Sequence, residues 1–258
     1  MKYLANFSGG ASSILATKIA LDCFGENNVD IIFAETNQHL PLMQEVIKQA
    51  QDWFKKEIVI LNSGKQLEKL VEKYGHFRNS KMCNYCTRIL KQEPIQKFCK
   101  ENYPDGDYCD VLGYDYSKKE LNRASKFILF KGRGCFPLIE LRIDKIECIK
   151  RLAANGFSFF AEHYKHDTHF NCIPCIKAGK YHWDYIYKYH PRVWVQWLGI
   201  ETQLKREGKA NCLHYFENPK PPRNFQVECN GFFCTVDSVG DIIVDDFAFL
   251  KSYFHGVK

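Results

Sequence analysis

Two Cys-x-x-Cys pairs, Cys83/Cys86 and Cys172/Cys175, stand out among the twelve cysteines of this 258-residue chain. Thiols at that spacing reach one metal from a single turn, and two such pairs supply the four soft ligands that suit zinc or an iron–sulfur cluster. A second chemically able group lies near the N-terminus, where Ser8-Gly9-Gly10-Ala11-Ser12-Ser13 follows an apolar run and opens a helical pattern. Gly9 and Gly10 can take backbone angles closed to other residues and let an anion approach the main chain. The helix start turns unpaired N–H groups and the positive end of its dipole toward that anion, and the serines add hydroxyls. This is a layout for binding phosphate. Arg88 and Lys91, about one helical turn apart, follow the first cysteine pair and can project toward the same anion.

These groups need a scaffold, and the hydrophobic periodicity describes one. Tyr3 to Phe7 reads as a buried strand, and Ile14, Leu15, Ile19 and Leu21 then recur at helical spacing. Val29 to Ala34 is a second strand, closed by the polar cluster Glu35-Thr36-Asn37-Gln38. Leu42, Val46, Ile47, Ala50, Trp53 and Phe54 form the stripe of the next helix, and Ile58 to Leu61 is a third strand. Alternation of this kind predicts an α/β fold: a doubly wound, mainly parallel, Rossmann-like sheet with ligands beyond the carboxyl ends of its strands. The Glu35 to Gln38 loop then lies beside the Ser8 to Ser13 loop.

Leu67, Leu70, Val71 and Tyr74 mark a further helix, and Asp110 to Gly113 reads as a strand end followed by a polar loop reaching Arg123. Asp144 caps a helix that Glu147 helps to close and Gly156 ends. Pro191 opens another, running to Lys205, with Trp194 and Trp197 as core residues. Gly208 and Pro219 to Pro222 read as a linker, and Val227 to Thr235 as a hairpin turning at Asn230-Gly231. Residues 1–205 therefore form one domain carrying the cysteines, and 206–258 a small C-terminal extension.

The net charge of +6 suits an anionic ligand or nucleic acid without demanding either. Neither a secretion signal nor ~18 uninterrupted apolar residues is visible, so the expectation is a cytoplasmic protein with no membrane partner. In that compartment a disulfide framework is disfavoured. Cys23, Cys99, Cys109 and Cys148 read as small buried side chains. His163, His166 and His169 stand near the second pair as alternative ligands, with a surface or loop role expected for each.

Ser8, Gly9, Gly10 and Ser13 resemble the Ser-Gly-Gly-x-Asp-Ser signature of the adenine nucleotide alpha hydrolase superfamily, the PP-loop ATP pyrophosphatases, with Ser12 where most members carry aspartate. Thr36-Asn37 resembles that superfamily's Thr-Gly loop. Cys86-Thr87-x-x-x-Lys91-x-x-Pro94 is similar to the segment that follows the nucleotide site in phosphoadenylyl-sulfate (PAPS) reductases, and Phe136-Pro137-Leu138-Ile139 to their aromatic-Pro-Leu-Ile segment. The chain is identified as a PAPS reductase-like member, of a phage-type or sulfurtransferase-like branch.

The resemblance implies an adenine nucleotide, ATP or adenylyl sulfate, with Mg2+. Its binding residues would be Ser8, Gly9, Gly10, Ser12, Ser13, Glu35, Thr36, Arg88 and Gly113, with Lys91 and Arg123 catalytic. It also implies a 4Fe-4S cluster, alternatively Zn2+, on Cys83, Cys86, Cys172 and Cys175. The reaction expected is ATP-dependent sulfur transfer with pyrophosphate release, from a sulfur donor protein or sulfide, with nucleic acid as one class of acceptor and a homodimer left open. Two alternatives stand beside it. One is a reductase using Cys229 of Glu228-Cys229-Asn230-Gly231, against which the hairpin pattern argues; the other is a non-catalytic nucleotide-sensing or nucleic-acid-binding module.

Overall fold

In the computed structural model, Lys2–Phe7 forms β1, with Leu4, Ala5 and Phe7 buried, and Ala11–Phe24 forms α1. The structure describes residues 1–39, 42–77, 82–167, 170–211, 226–229 and 232–235. A short turn at Glu26–Asn28 leads into β2 (Val29–Glu35), α2 (Leu42–Phe54), β3 (Val59–Asn62) and α3 (Leu67–Tyr74). Next come α4 (Tyr85–Thr87), a wide π-type turn over Arg88–Gln92, α5 (Glu93–Asn102) and β4 (Tyr108–Val111). The remaining helices are α6 (Lys118–Lys131), α7 (Pro137–Glu140), α8 (Lys145–Ala154), α9 (Phe159–His166), α10 (Lys180–Tyr189) and α11 (Pro191–Arg206).

The four strands pair in the order β3-β2-β1-β4, all parallel, with Ala5 beside Ile31 on one side and Val111 on the other. One face packs against α1, α2 and α8 through a large apolar cluster that includes Phe7, Phe33, Ile14, Val46 and Leu152. The other face is covered by α5 through Leu4, Ile32 and Cys99. The chain moves outward from β1 to β3 and then returns to place β4 on β1's far side. The topological switch point therefore lies between β1 and β4, where their two following loops part. Cys135 adds a single parallel bridge to Val111 at the outer edge.

The polar stretch after Gly113 is less of a loop than its composition suggests. Helix α6 begins at Lys118 because the Ser117 hydroxyl accepts the Glu120 N–H at 3.4 Å, a Ser-x-x-Glu cap. At α8, Asp144 accepts the Glu147 N–H at 2.8 Å, while the Glu147 carboxylate pairs with Arg151 instead of closing a capping box. Cys99, Cys109 and Cys148 are buried, but Cys23 is exposed, since it falls on the solvent side of α1's last turn. Trp194 and Trp197 are core residues. Past α11 the chain returns to pair Ala210 with His76. Gln226–Cys229 (β5) and Phe232–Thr235 (β6) form an antiparallel pair; their expected turn, Asn230-Gly231, and the Pro219 to Pro222 linker lie outside the described residues.

The switch point is tight enough to test. A Cβ on Gly113 would stand 2.6 Å from Ser13 Cα and 2.7 Å from Ser13 N, against backbone that cannot swing aside. Gly113→Ala should destabilise the fold by about 1–3 kcal/mol, the usual range for overpacking. Urea denaturation reads this directly, and an unchanged midpoint would show that the two loops are not held together as described.

Candidate functional site

The loop after β1 is braced by its own last serine. Ser13 Oγ accepts the Ser8 N–H at 3.1 Å and the Ser8 hydroxyl at 3.0 Å, and donates to Gly10 O at 2.8 Å. That hydroxyl proton is thus committed to holding the curve. Only one of the two glycines uses a backbone angle closed to other residues: Gly9 has φ 77°, whereas Gly10 sits at φ −82° in ordinary extended backbone. A Cβ on Gly9 would also stand 2.3 Å from Met43 Sδ, so the Met43 side chain would have to move. What Gly10 supplies is clearance, since a Cβ on it would approach Asn171 Oδ1 to 3.2 Å and the Tyr164 hydroxyl to 3.7 Å.

Ser12 points away from that brace and toward residues that the sequence pattern did not connect with it. Its Oγ accepts a hydrogen bond from Lys145 Nζ at 2.8 Å and lies 3.4 Å from Asp115 Oδ2. Lys145 comes from the first turn of α8 and Asp115 from the loop after β4. The only sequence signal for either was the cap at Asp144, which fixes where α8 starts but not what that start faces.

The loop after β2 carries Glu35 and Thr36. The Glu35 carboxylate accepts the Asn37 N–H and stands 3.0 Å from His39 Nε2, so it is engaged within its own turn. Asn37 takes φ 55°, a left-handed conformation that asparagine tolerates where the related loop has glycine. His39 donates through Nδ1 to Asn171 O and faces the Thr36 N–H with Nε2. Burial holds its pKa below the ordinary histidine value against the pull of Glu35. His39 was missed in the sequence because a lone histidine after a polar cluster looks like solvated loop.

Through these contacts the second cysteine arm is laid on the loops after β1 and β2. Ile173 N–H donates to Gln38 O at 2.7 Å, Thr36 Oγ1 lies 3.9 Å from Cys172 Sγ, and Asn171 covers Gly10. The Ile173–Pro174 peptide bond between the two cysteines is cis. Cys175 N–H donates to His182 Nε2 at 2.8 Å, and His182 Nδ1 donates to Asp167 at 2.7 Å, both side chains being buried. His76 anchors the arm's far end: Nε2 donates to Ile176 O at 3.2 Å, and Nδ1 meets Glu201 Oε1 of α11 at 2.5 Å.

The first pair sits opposite. Cys83 is fully buried, accepts the Phe77 N–H at 3.3 Å and donates to Phe77 O at 3.0 Å; Cys86 Sγ donates to Cys83 O at 3.3 Å. Burial raises the pKa of the Cys83 and Cys86 thiols, and pushes that of Cys175 up to about 11. Cys86 is within electrostatic range of both Cys172 and Cys175, whose effect Lys177 and Lys91 oppose at Cys86. All four cysteines are free thiols. The donor set and its cationic surround fit a soft metal or cluster, which would displace the thiol protons on binding. The sulfurs are not drawn to a common point: among the described residues no three His, Cys, Asp or Glu side chains stand at metal-holding distance.

The remaining expected residues divide. Lys91, in the π-type turn, acts on His39, Cys86 and Cys175 and so faces the site. Arg88 is exposed and pairs with Glu93 at 3.4 Å. Arg123 is held by Glu120 at 2.6 Å and stacks 4.4 Å over Tyr114, the residue after Gly113, at the rim of the switch-point loop. Gly113 itself serves close backbone packing against Ser13. His166 pairs with Glu162 on the surface and His163 packs against Phe170, while His169 lies outside the described residues. No helix among the described residues is long and apolar enough to cross a membrane.

The sequence model of the phosphoadenosine phosphosulfate reductase domain matches residues 2–131. An uncharacterized protein of Methanocaldococcus jannaschii is 30% identical over 122 residues, 46% of this chain and 24% of its own length, so the chain spans about a quarter of that curated relative. Two solved structures resemble the fold. The phosphoadenylyl-sulfate reductase of Candida auris, in a phosphate complex, has TM-score 0.43 and 16% identity, over 60% of this chain and 73% of that one. The U34-tRNA thiolase NcsA of Methanococcus maripaludis, with its [4Fe-4S] cluster, has TM-score 0.41 and 15% identity, over 80% of this chain and 72% of that one.

The buried pair at the end of the cysteine arm gives a measurable expectation. Glu201→Ala removes the fully buried acceptor facing His76 and should cost about 3–5 kcal/mol, as breaking a buried pair does. Chemical denaturation checks the cost; a loss under about 1 kcal/mol would mean that α11 does not secure the arm.

Proposed function

We propose, for a chain that belongs to the phosphoadenosine phosphosulfate reductase domain family, that it binds ATP, adenylates an acceptor with release of pyrophosphate, and delivers sulfur to it. One observation carries this reading: the thiol-bearing arm of Cys172 and Cys175 rests directly on the phosphate loop, through Asn171 over Gly10 and Thr36 beside Cys172. A nucleotide whose phosphates enter at the α1 N-terminus would thereby be activated next to sulfur chemistry.

In the first half-reaction an acceptor oxygen attacks the α-phosphorus of magnesium ATP, the new O–P bond forms, and the bond to the β-phosphate oxygen breaks as pyrophosphate leaves. In the second, sulfide from a donor attacks the carbon bearing the adenylate, and AMP departs with the C–O electron pair. The backbone N–H groups at the start of α1 and the Lys91 ammonium would stabilise charge on phosphate oxygens as these bonds break. His39, Thr36 and Asn171 would hold the ribose side of the pocket closed against the cysteine arm. Cys83, Cys86, Cys172 and Cys175 would hold a 4Fe-4S cluster, with zinc the alternative; when bound, the cluster supplies a soft site for sulfide. The acceptor class we propose is nucleic acid, in keeping with the chain's positive charge. The cytoplasm is the compartment that would keep these thiols reduced.

Protein purified without oxygen should contain iron and acid-labile sulfide, and should release AMP and pyrophosphate from ATP when given sulfide and bulk RNA. Radiolabelled sulfide should enter the RNA. Cys175→Ser should lose both the iron and the turnover. Cys229→Ser should keep them, because Cys229 ends a paired strand and its backbone is held opposite Phe232. Iron-loaded protein that releases no AMP under these conditions would reject the sulfurtransferase reading. Sulfite formation from adenylyl sulfate that disappears in Cys229→Ser would replace it with the reductase.

A further inference from the structure

Lys145 is a cation that reaches the phosphate loop from outside it. Its Nζ donates to Ser12 Oγ at 2.8 Å, lies 3.9 Å from Asp115 Oδ2 and 5.1 Å over the Tyr164 ring, and its side chain keeps 40% exposure. The Ser12 hydroxyl in turn faces Asp115 at 3.4 Å. Three elements thus converge on the first turn of α1: the start of α8, the loop after β4, and α9. Burial works against the Lys145 charge, but Tyr164, Asp115, Cys148 and Glu120 together keep its pKa above the ordinary lysine value. A salt bridge built only for stability has no need of a partly exposed lysine side chain bonded to a serine at a helix start.

We propose that Lys145 is a phosphate-binding residue of this site, and that Asp115 is the internal counter-charge from which it turns when a nucleotide phosphate arrives at Ser12. This rests on the nucleotide reading above. A phosphate at the α1 N-terminus would meet Ser12 Oγ and the Lys145 ammonium together, and a charge-assisted bond of that kind is among the stronger ones in proteins. The Asp115 carboxylate would oppose the bare phosphate and so sets how tightly it is held. Removing either partner therefore changes phosphate affinity in opposite directions, which a purely structural pin would not do.

The test is calorimetric titration of the full chain with ATP and, separately, with adenosine, both in EDTA to exclude divalent ions. Lys145→Met should weaken ATP by about ten- to a hundredfold, the range for losing one charged hydrogen bond, and leave adenosine unchanged. Asp115→Asn should tighten Mg-free ATP by about threefold or more, as a like charge beside the phosphate is removed. Wild-type protein that binds neither ligand in EDTA, nor ATP with magnesium restored, would overturn the nucleotide reading itself. Wild-type binding of ATP with equal affinity in Lys145→Met, or an equal loss for ATP and adenosine, would overturn the Lys145 proposal alone. Should Lys145→Met fail to fold, Asp115→Asn decides the matter, since unchanged or weakened ATP binding there contradicts the proposed opposition.

Discussion

The site depends on how closely the backbone after β4 approaches the first turn of α1. Parallel strands β1 and β4 lie side by side, but the chain leaves them in opposite directions, so their loops share one crevice. Gly113 lets those loops touch: with no Cβ it stacks directly on Ser12 and Ser13 backbone. That contact brings Asp115 to Ser12, and with it the loop that carries Tyr114 and Arg123. A larger residue at 113 would open the crevice by roughly the width of a methyl group and separate the groups around it.

A second constraint governs the thiols. The Cys172–Cys175 segment has no regular secondary structure of its own, so its backbone groups must be satisfied by side chains from elsewhere. Three histidines do this, each with a carboxylate beside it: His39 with Glu35, His182 with Asp167, and His76 with Glu201. Each ring bonds one backbone group of the arm, Asn171 O, Cys175 N–H or Ile176 O. Ile173 and Ile176 add burial in the main apolar cluster to these hydrogen bonds. Such networks fix one conformation most strongly where both partners bond, as His182 and Asp167 do.

Charge follows the same plan. Lys91 and Lys177 lower the thiol pKa values electrostatically, while Lys145 bonds Ser12 in the loop after β1. Arg88 and Arg123, the cations most visible in the sequence, are instead engaged by Glu93 and Glu120 near the surface.

The strand-helix alternation, the Ser-Gly-Gly turn and the two cysteine pairs were legible in the sequence because each is a local pattern. Periodicity reports which face of a helix or strand is buried, and a glycine pair before a helix reports a turn. The start of α6 was equally local, written in Ser117 and Glu120, yet the surrounding polarity concealed it. What only the tertiary structure decided is which distant residues meet: Lys145 and Asp115 at Ser12, His39 at Asn171, Glu201 at His76. Those partners are 103 to 133 residues apart, beyond any helical or strand repeat. Their contact is set by sheet order and by the close approach at Gly113, which no spacing along the chain encodes.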